Sequence, residues 1–342
     1  MIQSHTTMKL RRICDGVTPA VVPARLRVGV AVATMIASLS LARAASADPY
    51  FFSTGTPDGL LGTLSQPVGK GNLETETADD FILTETTTIA QATIEGLVPT
   101  GTALTDIDNV EVEFYHVFPN DSVVLPVVRV PSRANSPADV EIGSATRDGE
   151  RGTLSFRAEV LNASFQALNS VSDGVNPAPA NLTHGDGAAR GEEVRITITF
   201  TPPVVLPADH YFFRPEVEVA AGQFLFLSTP KPLVPPGTPF VGDLQAWIRN
   251  SALKPDWLRI GTDIIGDVPL RTFNMAVSLA GDTVPEAGLP GTANCHGRSV
   301  LALTEQFGSL EAAARAMGFS SVKALQQTFK GFCEQGRSRT LR

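Results

Sequence analysis

Five carboxylates crowd one stretch of this chain: Glu74, Glu76, Asp79, Asp80 and Glu85. Hard cations take several carboxylate and carbonyl oxygens, so such a run is a candidate calcium site. Asp106-Ile107-Asp108-Asn109 adds a D-x-D spacing, without the glycine and distal glutamate of an EF-hand. The calcium candidates are therefore Asp79, Asp80, Asp106 and Asp108. The competing expectation is a strand whose alternate acidic side chains face water. No other cofactor is expected, because the chain has neither a GxGxxG nor a P-loop pattern.

The histidines beyond the amino-terminal region are His116, His184, His210 and His296, and no GxSxG elbow, HExxH helix or CxxC pair accompanies them. His116 reads as a packed strand histidine, His210 as a positional residue before a strand, and His184 as a loop residue. A glycosidase needs two opposed carboxylates, and a chain this rich in acids offers such pairs by chance. No catalytic residue is assigned and no enzyme activity is expected. Trp247, Trp257 and Tyr50 lie in loop or terminal contexts. Exposed aromatics there would form a ligand platform for a glycan. The competing expectation is that the tryptophans pin a proline-rich insertion onto the body.

These residues sit in an ordinary folding chain of 342 residues, 43% hydrophobic and 18% charged, with 29 Gly and 25 Pro. That composition excludes collagen, a coiled coil and wholesale disorder. Arg11, Arg12, Arg25 and Arg27 precede an apolar run from Val28 to Leu41, and Ala45-Ser46-Ala47 follows before Asp48-Pro49. A basic region, a short apolar core and an A-x-A site read as a secretory signal peptide cleaved between Ala47 and Asp48. At 1.5 Å per residue the run reaches about 21 Å, short of the roughly 30 Å hydrocarbon core. The expectation is a secreted, cell-surface or periplasmic protein. No second apolar run of transmembrane length follows.

The leader takes six basic residues and one acid with it, which moves the net charge from −8 to −13. From Cys295 onward the balance reverses to seven bases and three acids. An acidic body argues against nucleic-acid binding, since phosphate neutralisation needs Lys and Arg. Leu310–Ser321 is spaced like the turn of a helix-turn-helix. Its following helix carries only Lys323 and Lys330 as bases, too few for reading DNA. The expected partner is an extracellular glycan or a surface protein. Outside the leader only Cys295 and Cys333 remain, and two cysteines bracketing one segment of an exported chain read as a disulfide. A zinc site with His296 would lack a ligand.

Alternation with period two marks the body as strands. Val110–Phe118 and Glu193–Phe200 alternate most clearly, and Tyr211–Val219 with Gln223–Leu227 suggest a hairpin about Ala221-Gly222. Weaker strands are expected at 80–83, 88–97, 153–160, 163–167 and 272–279. Long loops separate them at 119–150 and 169–191. A proline-rich insertion at 229–261 has a short helix expected over 243–250. The reading is mainly β, a jelly-roll-like antiparallel β-sandwich. After residue 293 the period becomes helical: Val300, Leu303 and Phe307, then Leu310, Ala313, Ala314 and Met317 behind Ser309, then Val322, Leu325, Phe329 and Phe332 behind Ser320 or Ser321. Three short helices bury little surface alone, so the disulfide is expected to close them. The organisation is a signal peptide (1–47), a β-sandwich (48–283), a linker (284–294), a disulfide-closed three-helix module (295–334) and a disordered tail (335–342).

Glu76-Thr77-Ala78-Asp79-Asp80-Phe81, the strand ending in Tyr115, and Leu206-Pro207-Ala208-Asp209-His210-Tyr211-Phe212 resemble exported bacterial β-sandwich proteins of the PEP-CTERM and choice-of-anchor type. In that group the Ala-Asp-Asp-Phe stretch opens the first core strand. The resemblance implies an exported sandwich of undetermined biochemical role. Asn294-Cys295-His296-Gly297, Gln306-Phe307-Gly308, Ala316-Met317-Gly318-Phe319 and Phe332-Cys333 resemble a short terminal module carried by other exported bacterial proteins.

Overall fold

The computed structural model describes residues 48–69, 73–122, 130–172, 175, 182–267, 269–284, 288 and 294–335. The expected signal peptide, its cleavage site on the Ala47 side, most of the linker and residues 336–342 of the expected disordered tail lie outside the described residues, while Gln335, the tail's expected first residue, ends a helix instead. The first strands are β1 (Pro49–Ser53), β2 (Leu61–Leu64), β3 (Thr75–Leu83), β4 (Thr87–Val98), β5 (Ile107–His116), β6 (Arg147–Asp148), β7 (Leu154–Ala167) and β8 (Asn169–Val171). They are followed by β9 (Ala189–Leu206), β10 (Asp209–Val219), β11 (Leu225–Thr229), β12 (Trp247–Asn250), β13 (Leu258–Arg259), β14 (Asn274–Met275) and β15 (Val277–Thr283). The chain then becomes helical in α1 (Cys295–Phe307), α2 (Leu310–Ala316) and α3 (Val322–Gln335).

The strands form two sheets. A nine-stranded sheet runs β1-β15-β4-β11-β2-β8, with β9 also on β4, β7 on β9, and β14 on β11. A six-stranded sheet runs β13-β12-β3-β10-β5-β6. Among the described residues every strand pairing is antiparallel except β2 with β8. The core lies between the sheets and follows from the alternation: Val110, Val112 and Phe114 of β5 and Val194, Ile196, Ile198 and Phe200 of β9 all enter it. Its centre is aromatic, with Phe114 edge-on to both Phe81 and Phe213. β4 crosses β11 at Gly96, where a Cβ would meet the Phe224 ring at 2.1 Å, so only glycine fits.

Three sequence expectations are corrected. β10 and β11 do not form a hairpin. β10 pairs with β3 and β5, while β11 joins β2 and β4 in the other sheet. Both strands are apolar enough to be buried, and burial does not name the partner. The segments 153–160 and 163–167 are one strand, β7, whose pairing with β9 shifts register between Val160 and Phe165. The helix expected over 243–250 is absent: Trp247–Asn250 is β12, paired with β3 at Trp247↔Ala78 and Arg249↔Glu76.

The helical module follows its sequence at the caps and through most of the apolar stripes, but Met317 and Phe332, expected in those stripes, are exposed. Ser309 caps α2 by accepting from the Ala312 amide at 3.1 Å, and Ser321 accepts from the Ala324 amide at 3.2 Å. Gly308 (φ 78°) and Gly318 (φ 77°) take the left-handed conformation that ends a helix. Ala313, Ala314 and Leu325 are fully buried against Leu303, Phe307, Leu310, Phe319, Val322 and Phe329. The Cys295–Cys333 disulfide is present, joining the start of α1 to the end of α3. Among the described residues no helix is long and apolar enough to cross a membrane.

Candidate functional site

The face of the six-stranded sheet that points away from the core carries the alternate residues of four strands. These are Glu76, Ala78 and Asp80 of β3, Glu111, Glu113 and Tyr115 of β5, Phe212, Arg214 and Glu216 of β10, and Trp247 and Arg249 of β12. In an open sandwich such a face would be wet. Here it is roofed. Trp257 donates its indole N–H to the Ala138 carbonyl at 3.3 Å, and Arg133 pairs with Asp139 and with Asp256 at 3.0 Å, tying the 130–142 and 251–257 segments together above the sheet. Ala78, Tyr115, Phe212, Trp247 and Trp257 form a second apolar cluster beneath this roof.

Register places opposite charges side by side on this covered face. Arg249 lies across from Glu76 and grips it with two nitrogens, its Nη2 reaching Oε1 at 3.1 Å. The same Nη2 donates to the Tyr115 hydroxyl at 2.9 Å, and that hydroxyl donates on to Glu113. The Trp257 ring centroid lies 4.1 Å from the Arg249 guanidinium, a cation–π contact. Arg214, 1% exposed, lies across from Glu113 and pairs with it, with Glu216 at 2.9 Å and with Glu76 at 3.3 Å. Lys254 completes the network from above at 2.7 Å from Glu74 and 3.6 Å from Glu76.

Burial alone would raise Glu76, but Arg249, Arg214 and Lys254 outweigh it and bring the carboxyl down to about 2. Glu216 goes the other way. Burial pushes it up to about 8 against the pull of Arg214, and the nearby Glu76, Glu74 and Glu111 add repulsion. Among the described residues its Oε1 has no hydrogen-bond partner. In the unfolded chain both groups titrate near 4.5. The stabilising contribution of Glu216 is therefore complete below about pH 4.5 and lost as pH rises through 8, whereas that of Glu76 is complete above 4.5 and lost as pH falls through 2. Stability is expected to peak in weak acid and fall toward pH 8. Glu216→Gln should reduce that alkaline slope, read from urea midpoints at several pH values, by about one proton. An unchanged slope would contradict this assignment.

Glu74, Glu76 and Glu216 bring carboxylate oxygens within 4.8 Å of one another. The donor set does not fit a calcium ion. Lys254 already lies against Glu74 and Glu76, and both oxygens of Glu76 are taken by Arg249. Three cationic side chains beside the gap oppose a fourth cation.

The calcium candidates read from the sequence do not converge. Asp79 and Asp80 are neighbours on one strand and so point to opposite faces. Asp79 accepts from the Met275 amide at 2.7 Å inside the sandwich, and burial followed by the adjacent Asp80 holds its carboxyl well above the usual range. Asp80 accepts from the Leu244 amide at 3.1 Å and lies 2.7 Å from His210 Nε2. The pair anchors the proline-rich insertion and β14 to β3. Asp106 and Asp108 precede and begin β5, six residues along the β10 register from Asp79, which is about 20 Å at strand rise.

The tryptophan platform is also corrected. Trp247 and Trp257 are each 1% exposed and cannot offer a face to a sugar. They pin the insertion, as the competing expectation had it. Tyr50, on β1, is half-buried and packs against the main core, and burial raises its hydroxyl well above the ordinary tyrosine range. One edge of Trp247 borders a cleft of about 460 Å³ shared with Lys231, Asp243, Gln245 and Arg259. Of the histidines, His116 lies against Asp209 at 3.2 Å and Asp121 at 3.4 Å, so both its ring nitrogens face carboxylates. His184 Nδ1 lies 2.9 Å from the Ile265 carbonyl, and His296 is exposed on the first turn of α1.

Sequence reasoning missed the Arg214–Glu76–Arg249 network. The available signal was an arginine and two glutamates inside the otherwise apolar Tyr211–Val219 run, together with Arg249 beside Trp247. No family model, curated protein or solved structure matches this chain.

Proposed function

We propose that this chain is an exported structural or interaction protein of the PEP-CTERM and choice-of-anchor type, acting at the cell surface or outside the cell, with no catalytic role. One observation carries the reading: the charged and aromatic groups best suited to chemistry are buried and consumed in ion pairs that hold a roof onto one sheet. Arg214, Glu76, Arg249, Tyr115 and Trp257 are each at most 3% exposed. Groups so deployed stabilise a scaffold and do not meet a substrate. The Cys295–Cys333 bond supports an oxidising destination.

Fractionation of cells producing the full chain with a carboxy-terminal tag, followed by mass measurement after thiol alkylation, tests the reading. The expected product lies outside the cytoplasm, begins at Asp48 and leaves Cys295 and Cys333 unalkylated. An uncut, reduced protein confined to the cytoplasm would overturn it.

A carbohydrate-binding role keeps one favourable observation, the cleft bordered by Trp247, Lys231, Asp243 and Gln245. The scaffold reading expects a glycan array to stay at background with or without chelator. A glycan signal lost in Gln245→Ala would favour the second role instead.

A further inference from the structure

We infer that two copies of this chain pair antiparallel through their β7 strands, about a two-fold axis at Ala158. This goes beyond the proposed function and holds wherever the protein resides. β7 runs for 14 residues and pairs on one side only, with β9. Among the described residues its other backbone edge has no strand partner. Long free edges of this kind template pairing with another chain unless they are blunted. Here the blunting begins only after Val160, where the register with β9 shifts; the part before it, Leu154–Val160, pairs regularly.

The side chains along that regular part select the partner. In an antiparallel pair, residues directly opposite each other share a face. Centring the axis on Ala158 sets Arg157 opposite Glu159 of the second copy, and Glu159 opposite its Arg157. Both side chains are exposed, on the face away from the core. Glu159 also touches Arg195 at 3.5 Å while remaining half-exposed, so it can accept a second guanidinium. The same axis sets Phe156 opposite Val160 on the core-side face. Phe156 and Ala158 pack only partly against the main core, and Val160 is 41% exposed, so the six-stranded sheet leaves this margin uncovered. Pairing would cover it with apolar side chains from the partner. One register thus satisfies the backbone edge, the charges and the apolar margin together.

The purified protein is predicted to dimerise with rising concentration in analytical ultracentrifugation. Arg157→Glu and Glu159→Arg each place like charges across the axis and should weaken self-association at least tenfold. Mixed in equal amounts, those two variants should form a heterodimer, because each Glu then meets an Arg of the other copy. Ala158→Cys should cross-link to its own copy on mild oxidation, since opposed Cα atoms at 4.5–5.5 Å suit a disulfide. All three positions lie on the sheet margin, and thermal melts check that each variant folds. A protein monomeric at every concentration, a dimer indifferent to the charge changes, or a mixture no tighter than its parts would overturn the inference.

Discussion

Arg249→Met is expected to destabilise the protein by about 3–5 kcal/mol, because it leaves Glu76 buried with much of its charge uncompensated. Glu76 is fully buried, and Arg249 supplies two of its hydrogen bonds as well as the closest guanidinium. Its remaining cations, Arg214 at 3.3 Å and Lys254 at 3.6 Å, are longer contacts without that bidentate geometry. The substitution also removes the guanidinium from beneath Trp257 and the donor from Tyr115. Equilibrium urea unfolding, with near-ultraviolet circular dichroism to follow the buried tryptophans, measures the loss. A change within about 0.5 kcal/mol would place Arg249 among ordinary surface residues.

Breaking the disulfide has the second large effect, confined to one end of the chain. Cys333→Ser releases a loop of about 40 residues, for which closure entropy gives roughly 4 kcal/mol as an upper figure. The helices have little else. Their buried apolar set is Ala313, Ala314 and Leu325; among the described residues the Ser299 hydroxyl only accepts from the Gly288 amide of the linker, and the side-chain tie to the sandwich is Arg298 to Glu85. Hydrogen exchange is expected to accelerate over 295–335 by up to about a thousandfold, the equivalent of that free energy, while peptides from β5 and β9 keep their protection. Equal loss of protection in β5 would mean that the helices and the sandwich unfold as one unit.

The sequence was informative where one physical rule acts alone. Val110–Phe114 and Val194–Phe200 alternate because one face of each strand is apolar, and both enter the core as expected. Ser309 and Gly308 mark a helix boundary through backbone chemistry that is local to them. The sandwich class, the three helices and the cysteine pair follow from such local rules. What was not legible depends on partners distant in sequence. Glu76 meets Arg249 across 173 positions and Arg214 across a different strand pair. Alternation shows that these side chains leave the core face, but it does not say whether the other face is wet or roofed. The roof depends on Ala138, Asp139 and Asp256, which no periodicity marks. Periodicity likewise left two uses open for Trp247, a sugar platform or a pin for the insertion, and only the third layer that buries it decides between them.

The charged layer on the outer sheet face is internal structure. A double-mutant cycle on Glu76 and Arg249 tests it most directly, with Glu76→Met, Arg249→Met and the pair compared by urea unfolding. Two severe single losses are expected, with a double variant that recovers most of the deficit, a coupling of about 2 kcal/mol or more, because two apolar side chains replace a desolvated ion pair at little net cost. Singles that unfold like the parent, with losses that simply add, would mean that water reaches this layer and that its charges are available for some other task.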